Sequence, residues 1–331
     1  MSKERVLSGF RPTGRVHIGH YFGTLKNWLK LQNDPNFECY FEIADWHVLT
    51  THYTETSKLR QNTIDMAIDW FSIGIDPSKS VIFVQSAIKE HAELHLLFSM
   101  IITVSRLERN PTIKEQAKQL GLSEKISYGF LGYPVLQAVD ILMYKPKYVP
   151  VGEDQLPHIE ITREIARRFN NLYKEIFPIP EPLLSPSPKV LGIDGRKMSK
   201  SYNNFIIITE PSNSLERKIM KAFTCPQKIR KNDPGIPEEC PIFAYHQLFG
   251  NPEAEQIKED CKKGKIGCVE CKRKVLKIMN EFLQPFREKR AELDKNKDKV
   301  IEILEEGNKK AREFAQKTME EVREAMNMWS K

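Results

Sequence analysis

The chain has 331 residues, 40% of them hydrophobic and 29% charged, with a formal net charge of +7. That length suits about two domains of ~150 residues, and the composition excludes a wholly disordered chain. The longest apolar run, Leu94 to Val104, is far short of the ~20 residues that cross a bilayer, and MSKERVLSGF lacks an apolar signal segment. No membrane partner and a cytoplasmic location are therefore expected, and the positive charge favours a polyanionic partner such as a nucleic acid or a phosphate-rich substrate.

In chain order, RVLSGF reads as a strand, HIGHYFGTLKNWLKLQ as a helix, CYFEIADWHVL as a strand, the stretch through Trp70 as a helix and SVIFVQ as a strand. This alternation predicts an α/β fold with a Rossmann-like, doubly wound parallel sheet. Helical periodicity prevails from Glu90 to about Arg168, interrupted by an extended KYVPVG, and the proline-rich FPIPEPLLSPSP reads as an irregular connection. Beyond Pro211 only helices are expected, the last with Ala311, Phe314, Ala315, Met319, Val322 and Met326 on one face. The expected division is an α/β domain over 1–205 and an all-α domain over 206–331, with the boundary near 203–212.

The stretch SGFRPTGRVHIGHYFG, Ser8 to Gly23, leaves a strand and opens a helix. In a doubly wound sheet, free N–H groups and the positive end of the helix dipole bind phosphate there. Gly14 and Gly19 permit close approach of the backbone, and His17 and His20, three apart, share one side of the first turn and can donate to phosphoryl oxygens. Two surface histidines are the plainer reading of HxxH taken alone. The loop DGRKMSKSYNNF, with Lys197 and Lys200 around Met198 and Ser199, suits the charge developed on a phosphoryl group and departing pyrophosphate. Alone it reads as solvated surface; the two stretches together are far more specific.

HIGH at 17–20 and KMSKS at 197–201 resemble the two signatures of class I aminoacyl-tRNA synthetases. YPVLQAVDILMY and VPVGEDQLPHIEITREIARRFN are similar to the bacterial tryptophanyl-tRNA synthetase family, a likeness extending over essentially the whole chain. The resemblance implies a ligase that activates L-tryptophan with ATP and Mg²⁺ and transfers it to tRNA(Trp). It also implies a homodimer joined through a helical insertion over about 86–130, and anticodon binding by the 206–331 domain.

It further implies roles for individual residues. His17, His20, Lys114, Lys197 and Lys200 are catalytic candidates; Arg11, Pro12, Thr13, Gly19, His20, Gly152, Glu153, Asp154, Val190, Lys197, Met198, Ser199, Lys200 and Ser201 are expected around ATP. Tyr133 and Gln155 are expected at the substrate ammonium group. Asp140 shares a helical face with Leu136, Met143 and Tyr144, so its carboxylate is expected in apolar surroundings and in need of a partner. The resemblance makes that partner the indole N–H; an unseen Arg or Lys is the alternative. Relatives in the family commonly carry glutamine at the position of Arg11, and Thr and Asn at those of His17 and His20.

Six cysteines remain. Cys39 reads as a small buried residue and Cys225 stands alone, whereas Cys240-x20-Cys261-x6-Cys268-x2-Cys271 supplies four thiols, the number a metal site requires. The spacing accommodates zinc or a [4Fe–4S] cluster. A subset of the resembled family carries such a cluster in its anticodon-binding domain with a first gap two residues longer, which ranks iron–sulfur first, zinc second and free thiols third. Between Cys261 and Lys274, six basic residues (Lys262, Lys263, Lys265, Lys272, Arg273, Lys274) face one acid, Glu270, a patch able to offset thiolate charge and meet tRNA phosphates. The alternatives to the ligase are a tyrosyl-tRNA synthetase of the same subclass and a non-catalytic paralogue that binds tryptophan or RNA.

Overall fold

The computed structural model describes residues 3–119, 121, 126–184 and 189–329. Five parallel strands form one sheet in the order β3-β2-β1-β4-β5: β1 Glu4–Phe10, β2 Phe37–Ile43, β3 Ser80–Val84, β4 Tyr148–Val151 and β5 Glu181–Leu184. Val6, Leu7 and the stretch Cys39–Ile43, Glu42 included, are buried, as expected of strands covered on both faces. The Cys39 thiol is one of these core groups, pushed up to about 12 chiefly by burial. Two sequence expectations are corrected: CYFEIADWHVL is a strand only to Ile43 and turns helical from Asp45, and the proline-rich stretch contributes β5, paired with β4 from Tyr148↔Glu181 to Val151↔Leu184. Its prolines are no obstacle because β5 lies at the sheet edge.

Helices cover the sheet: α1 Lys26–Asn33, α2 Asp45–His52, α3 Leu59–Ser72, α4 Glu90–Ser99, α5 Val104–Glu108, α6 Pro111–Gln119, α7 Tyr128–Met143 and α8 Leu156–Leu172. After the sheet come α9 Ser212–Lys221, α10 Pro241–Leu248, α11 Ala254–Lys262, α12 Cys268–Asp294 and α13 Lys297–Ala325. The order of strands changes direction between β1 and β4, which opens the crevice where ligands bind in open α/β sheets.

The last helix returns to the sheet. The apolar face expected on α13 is present: Ala311, Ala315, Met319 and Val322 are buried in the same core as Phe83, Val139 and Tyr144, with Phe314 and Met326 packed against it. Asn308 Oδ1 accepts the Val84 N–H at 2.8 Å, satisfying a donor on the sheet's other edge. Gly307 lies so close to β3 that a Cβ there would meet Ile82 O at 1.8 Å, so the helix can seat itself only with glycine at this position.

One buried carboxylate joins three parts of the chain. Asp69, on α3, has no exposed surface. Its Oδ2 accepts Arg15 Nε at 3.0 Å and Val16 N at 2.9 Å, while Oδ1 accepts Arg15 Nη2 at 3.0 Å and Arg290 Nη1, from α12, at 2.7 Å. Arg290 also binds Asp65 Oδ1 at 2.5 Å. Taking one member from a buried ionic group leaves charges unpaired and costs about 3–5 kcal/mol. Asp69→Asn is accordingly expected to lower the denaturation free energy by about 3 kcal/mol; a loss under about 1 kcal/mol would contradict this role for Asp69.

Candidate active site

The crevice is built from residues that follow the carboxyl ends of the strands. After β1, Gly14 turns the chain at φ 108°, a left-handed value that favours glycine. A helical turn Ile18–His20 follows, then a π-helical turn Tyr21–Leu25 that runs into α1. The His17 and His20 rings stack with centroids 3.5 Å apart. Their packing requires Gly19, where a Cβ would meet the His17 ring at 2.9 Å. Burial, with help from the Lys200 charge, pulls His17 down to about 3, and burial with His17 and Lys200 holds His20 well below its ordinary value. Both are neutral imidazoles, able to donate one N–H each without adding charge. His20 Nδ1 is buried with no hydrogen-bond partner among the described residues.

The KMSKS stretch lies on a β-hairpin in which Met198 N donates to Val190 O at 2.9 Å and Gly192 N to Arg196 O at 2.7 Å. Asn204 pins its open end: Oδ1 accepts Ser199 N at 2.8 Å while Nδ2 donates to Asp194 Oδ1 at 2.7 Å and Lys197 O at 3.1 Å. The residues just after it stitch the two signatures together, with Ile18 N on Ile206 O and Ile208 N on Val16 O, both at 2.9 Å. Lys200 Nζ completes the closure on Gly14 O at 2.9 Å and Thr13 Oγ1 at 3.3 Å. Burial lowers Lys200 to about 8. Arg11 and Thr13 are exposed, Pro12 is buried, Lys197 and Ser201 are exposed, and Met198 is buried. The Val190 carbonyl expected near adenine already accepts the Met198 N–H, which leaves it one lone pair.

Across the crevice, Asp140 on α7 is 4% exposed. Its surroundings are more polar than the sequence suggests. Oδ2 accepts His47 Nε2 at 2.8 Å; Oδ1 accepts Gln85 Nε2 at 2.7 Å and His91 Nδ1 at 3.0 Å. No Arg or Lys pairs with it among the described residues. Burial acts to raise Asp140, but the bonds and charges of His47 and His91 outweigh it and hold the carboxyl below its ordinary value. Tyr144 is held as a phenol by burial, so its O–H donates to His91 Nε2 at 2.9 Å and fixes the His91 proton on the nitrogen facing Asp140. Glu42, also buried in this cluster, is pushed well above its ordinary value by burial and by Asp140 and Asp45, and is neutral. Asp140 is thus an ionised carboxylate with a single donor on Oδ2 among the described residues, leaving one acceptor direction there for a ligand.

Tyr133 is oriented by a second relay. Asn110 Oδ1 accepts Thr112 N at 3.0 Å, so its Nδ2 donates to His158 Nδ1 at 3.3 Å. His158, lowered to about 4 by burial, is neutral and carries its proton on Nε2, which donates to Tyr133 Oη at 3.1 Å. Arg11 faces Tyr133 electrostatically, which places the first loop beside this hydroxyl. Gly152 follows β4, where a Cβ would meet Asp154 Oδ1 at 2.7 Å, and Gln155 Nε2 donates to Asp154 Oδ2 at 2.7 Å. Glu153, Asp154 and Gln155 form the helical turn that leads into α8. Lys114 is exposed on α6. Among the described residues, no hydrogen bond or ion pair links it to the other candidates. Sequence reasoning missed His47, Gln85, His91, Asn110 and His158. The available signal was their position: Asp45 and His47 follow β2, and Gln85 follows β3, so polar residues cluster where a doubly wound sheet binds ligands.

The cysteines converge in the helical region. Cys240, Cys261, Cys268 and Cys271 line one cavity with Ile236, Phe243 and Ile266. Cys225 does not stand alone: it lines the same cavity, buried, and acts electrostatically on Cys240 and Cys261. No disulfide joins any of the six cysteines. The basic patch is largely consumed locally: Lys262 pairs with Glu238 at 2.6 Å, Lys263 with Glu259 at 3.0 Å and Lys274 with Glu253 at 2.6 Å. Lys272 is buried, which leaves Lys265 and Arg273 as its exposed cations without an ion pair among the described residues.

The family model for class I tRNA synthetases (W and Y) matches residues 2–284. The chain is 55% identical to the tryptophan–tRNA ligase of Thermotoga maritima, covering 98% of this chain and 99% of that one. It is 49% identical to the tryptophan–tRNA ligase of Aquifex aeolicus, covering 98% and 100%. A crystal structure of tryptophanyl-tRNA synthetase from Campylobacter jejuni, complexed with ADP and tryptophan, superposes with a TM-score of 0.88 at 36% identity, over 98% of this chain and 100% of that one. With its two signatures stitched together in the crevice and relatives this similar along their whole length, the chain belongs to the class I tRNA synthetases and, within them, to the tryptophan–tRNA ligases.

Proposed function

We propose that the crevice catalyses activation in the following way. The tryptophan carboxylate attacks the α-phosphorus of ATP, a P–O bond forms as the bond to pyrophosphate breaks, and the terminal ribose hydroxyl of tRNA(Trp) then attacks the activated carbonyl and releases AMP. His17 and His20 donate neutral N–H bonds to phosphoryl oxygen, and Lys197 and Lys200 balance charge on the leaving pyrophosphate. Arg11, Pro12, Thr13 and Gly19 on one wall, Gly152, Glu153 and Asp154 on the other, and Val190, Met198, Ser199 and Ser201 on the hairpin enclose ATP. Lys114 approaches pyrophosphate from α6. Mg²⁺ would supply further phosphate charge balance. The observation that carries this reading is Lys200 Nζ held 2.9 Å from Gly14 O, at the mouth of the HIGH turn.

Asp140 reads the indole N–H through the open direction on Oδ2, while Tyr133 and Gln155 hold the ammonium group. A tyrosine phenol reaching the same carboxylate would have to follow a different ring geometry, and the relatives at high identity are tryptophan ligases.

The cysteine cavity suits a [4Fe–4S] cluster better than zinc. Zinc–sulfur bonds of ~2.3 Å in a tetrahedron bring thiolates to about 3.8 Å of one another. Among the described residues, no three cysteine sulfurs lie within 4.8 Å of each other, although five thiols line the cavity. Cys240, Cys261, Cys268 and Cys271 would hold the cluster, whose chemistry here is a covalent staple for residues 240–271. The part of the chain from about 206 onward would bind the anticodon stem, with 1–205 as the catalytic domain. A homodimer is favoured by apolar side chains exposed on and beside α4 to α7: Leu96, Met100, Val104, Ile126 and Tyr128. Because no helix among the described residues is long and apolar enough to cross a membrane, a cytoplasmic site of action fits.

Two measurements test these points. Lys200 is lowered to about 8, so its ammonium is intact below that pH and lost above it. In ATP–pyrophosphate exchange, kcat/KM for ATP is expected to fall above about pH 8, and Lys200→Arg, which stays charged, should move that limb upward. An unshifted limb in the variant would remove Lys200 from this role. Purified anaerobically, the chain should sediment as a dimer and carry about four irons and four sulfides per chain with broad absorption in the blue. One zinc per chain would replace the cluster, and a monomer at micromolar concentration would count against the interface.

A further inference from the structure

The hairpin that carries Lys197 and Lys200 is held from behind by the helical region. Tyr245, on α10 and fully buried, donates its hydroxyl to Leu191 O at 2.7 Å. The next residue, His246, is tied to the cysteine cavity. Asn251 Oδ1 accepts Glu253 N at 2.9 Å, so Asn251 Nδ2 donates to His246 Nδ1 at 2.6 Å. That leaves His246 Nε2 to donate to Cys271 O at 3.1 Å. A second route starts from the residue after Cys271. Lys272, 6% exposed, donates to Met220 O at 2.9 Å and Ala222 O at 2.7 Å, and Phe223 N donates to Ile193 O at 2.7 Å. Tyr245 of α10 thus bonds hairpin position 191 directly, and Lys272 of α12 reaches position 193 by way of Ala222 and Phe223.

We propose that Tyr245 and Lys272 are positioning residues for amino-acid activation, fixing the strand Leu191–Ile193 so that Lys197 and Lys200 on the return strand and its extension meet ATP. Neither touches the crevice: each acts through a backbone carbonyl, Tyr245 on Leu191 directly and Lys272 by way of Ala222 and Phe223. The physical basis is a short hairpin with few bonds of its own. Between residues 190 and 198 its internal ladder consists of the Met198–Val190 and Gly192–Arg196 bonds and the Gly195–Gly192 turn, so an anchor outside it decides where it sits. The same contacts make the cysteine cavity and the ATP site parts of one hydrogen-bonded assembly, so a disturbance at Cys271 reaches the hairpin by both routes.

The inference rests on the ATP role proposed above for Lys197 and Lys200. Tyr245→Phe removes only the hydroxyl, and Lys272→Met keeps most of the side-chain bulk. Each is expected to lower kcat/KM for ATP in tRNA-free pyrophosphate exchange by about threefold to tenfold, the range for loss of one modest hydrogen bond. The tryptophan dissociation constant should stay within about twofold of the original, because Asp140 and Tyr133 belong to the other wall. Hydrogen exchange should quicken at the amides of residues 191–198 in both variants. A purely structural role would lower the melting temperature and leave ATP kinetics and hairpin exchange unchanged, which would overturn the proposal. If Lys272→Met fails to fold, Tyr245→Phe decides, since Tyr245 does not line the cysteine cavity. Lys200→Ala run in parallel separates the two readings: wild-type ATP kinetics there would sink the lysine role itself, whereas an impaired Lys200→Ala beside a normal Tyr245→Phe would sink only the positioning claim.

Discussion

Asp69 sits where the helical region, the nucleotide-binding turn and the sheet's covering helix meet, and it uses all of its acceptor capacity there. A carboxylate with no exposed surface survives only if its charge is matched and its lone pairs are filled. Arg15 and Val16 N, immediately ahead of HIGH, supply three of its four hydrogen bonds, and Arg290, 221 residues beyond Asp69 in the chain, supplies the fourth. The segment leading into HIGH and the helix α12 are therefore held on the same carboxylate. Catalytic geometry and the docking of the C-terminal helices are one problem for this chain rather than two.

The same economy governs the rest of the crevice. One relay starts from backbone: Thr112 N sets Asn110, which sets His158, which sets Tyr133. Gln85 is set by Trp46 N, whose bond to Gln85 Oε1 leaves the amide nitrogen for Asp140. With Glu42 pushed well above its ordinary value by burial, Asp140, held below its own, is the acceptor that the His47, Gln85 and His91 bonds converge on. The ATP side concentrates cations instead, and the lowered Lys200 shows the cost of holding an ammonium group close to Arg11 in a half-buried place. Specificity and charge balance are thus separated onto two walls.

Much of this was legible in the sequence, for identifiable reasons. The strands β1 to β4 each carry a short apolar segment, HIGH and KMSKS are local motifs, and the buried face of α13 follows helical periodicity, so each could be read from neighbours in the chain. Residues that act through partners far away could not. Cys225 looked solitary because its partners are the Cys240 and Cys261 side chains, reached only after α9 and α10 fold back. Glu181–Leu184 was masked by its prolines, which an edge strand tolerates. The basic run after Cys261 looked free because its partners Glu238 and Glu253 lie outside the run. Asp140 was found, but its apolar helical neighbours concealed the three donors supplied by the ends of β2 and β3 and by α4.

Selection of the indole N–H is proposed to rest on one carboxylate direction, that on Asp140 Oδ2. The most direct measurement is ATP–pyrophosphate exchange driven by tryptophan and by its benzothienyl isostere, in which sulfur replaces the indole N–H with little change of shape. A buried acceptor left unpaired predicts that the isostere loses at least about 10³-fold in kcat/KM, and that Asp140→Ala narrows the difference to about tenfold or less. Activation of the two amino acids within about tenfold of each other by the unmodified enzyme would contradict it.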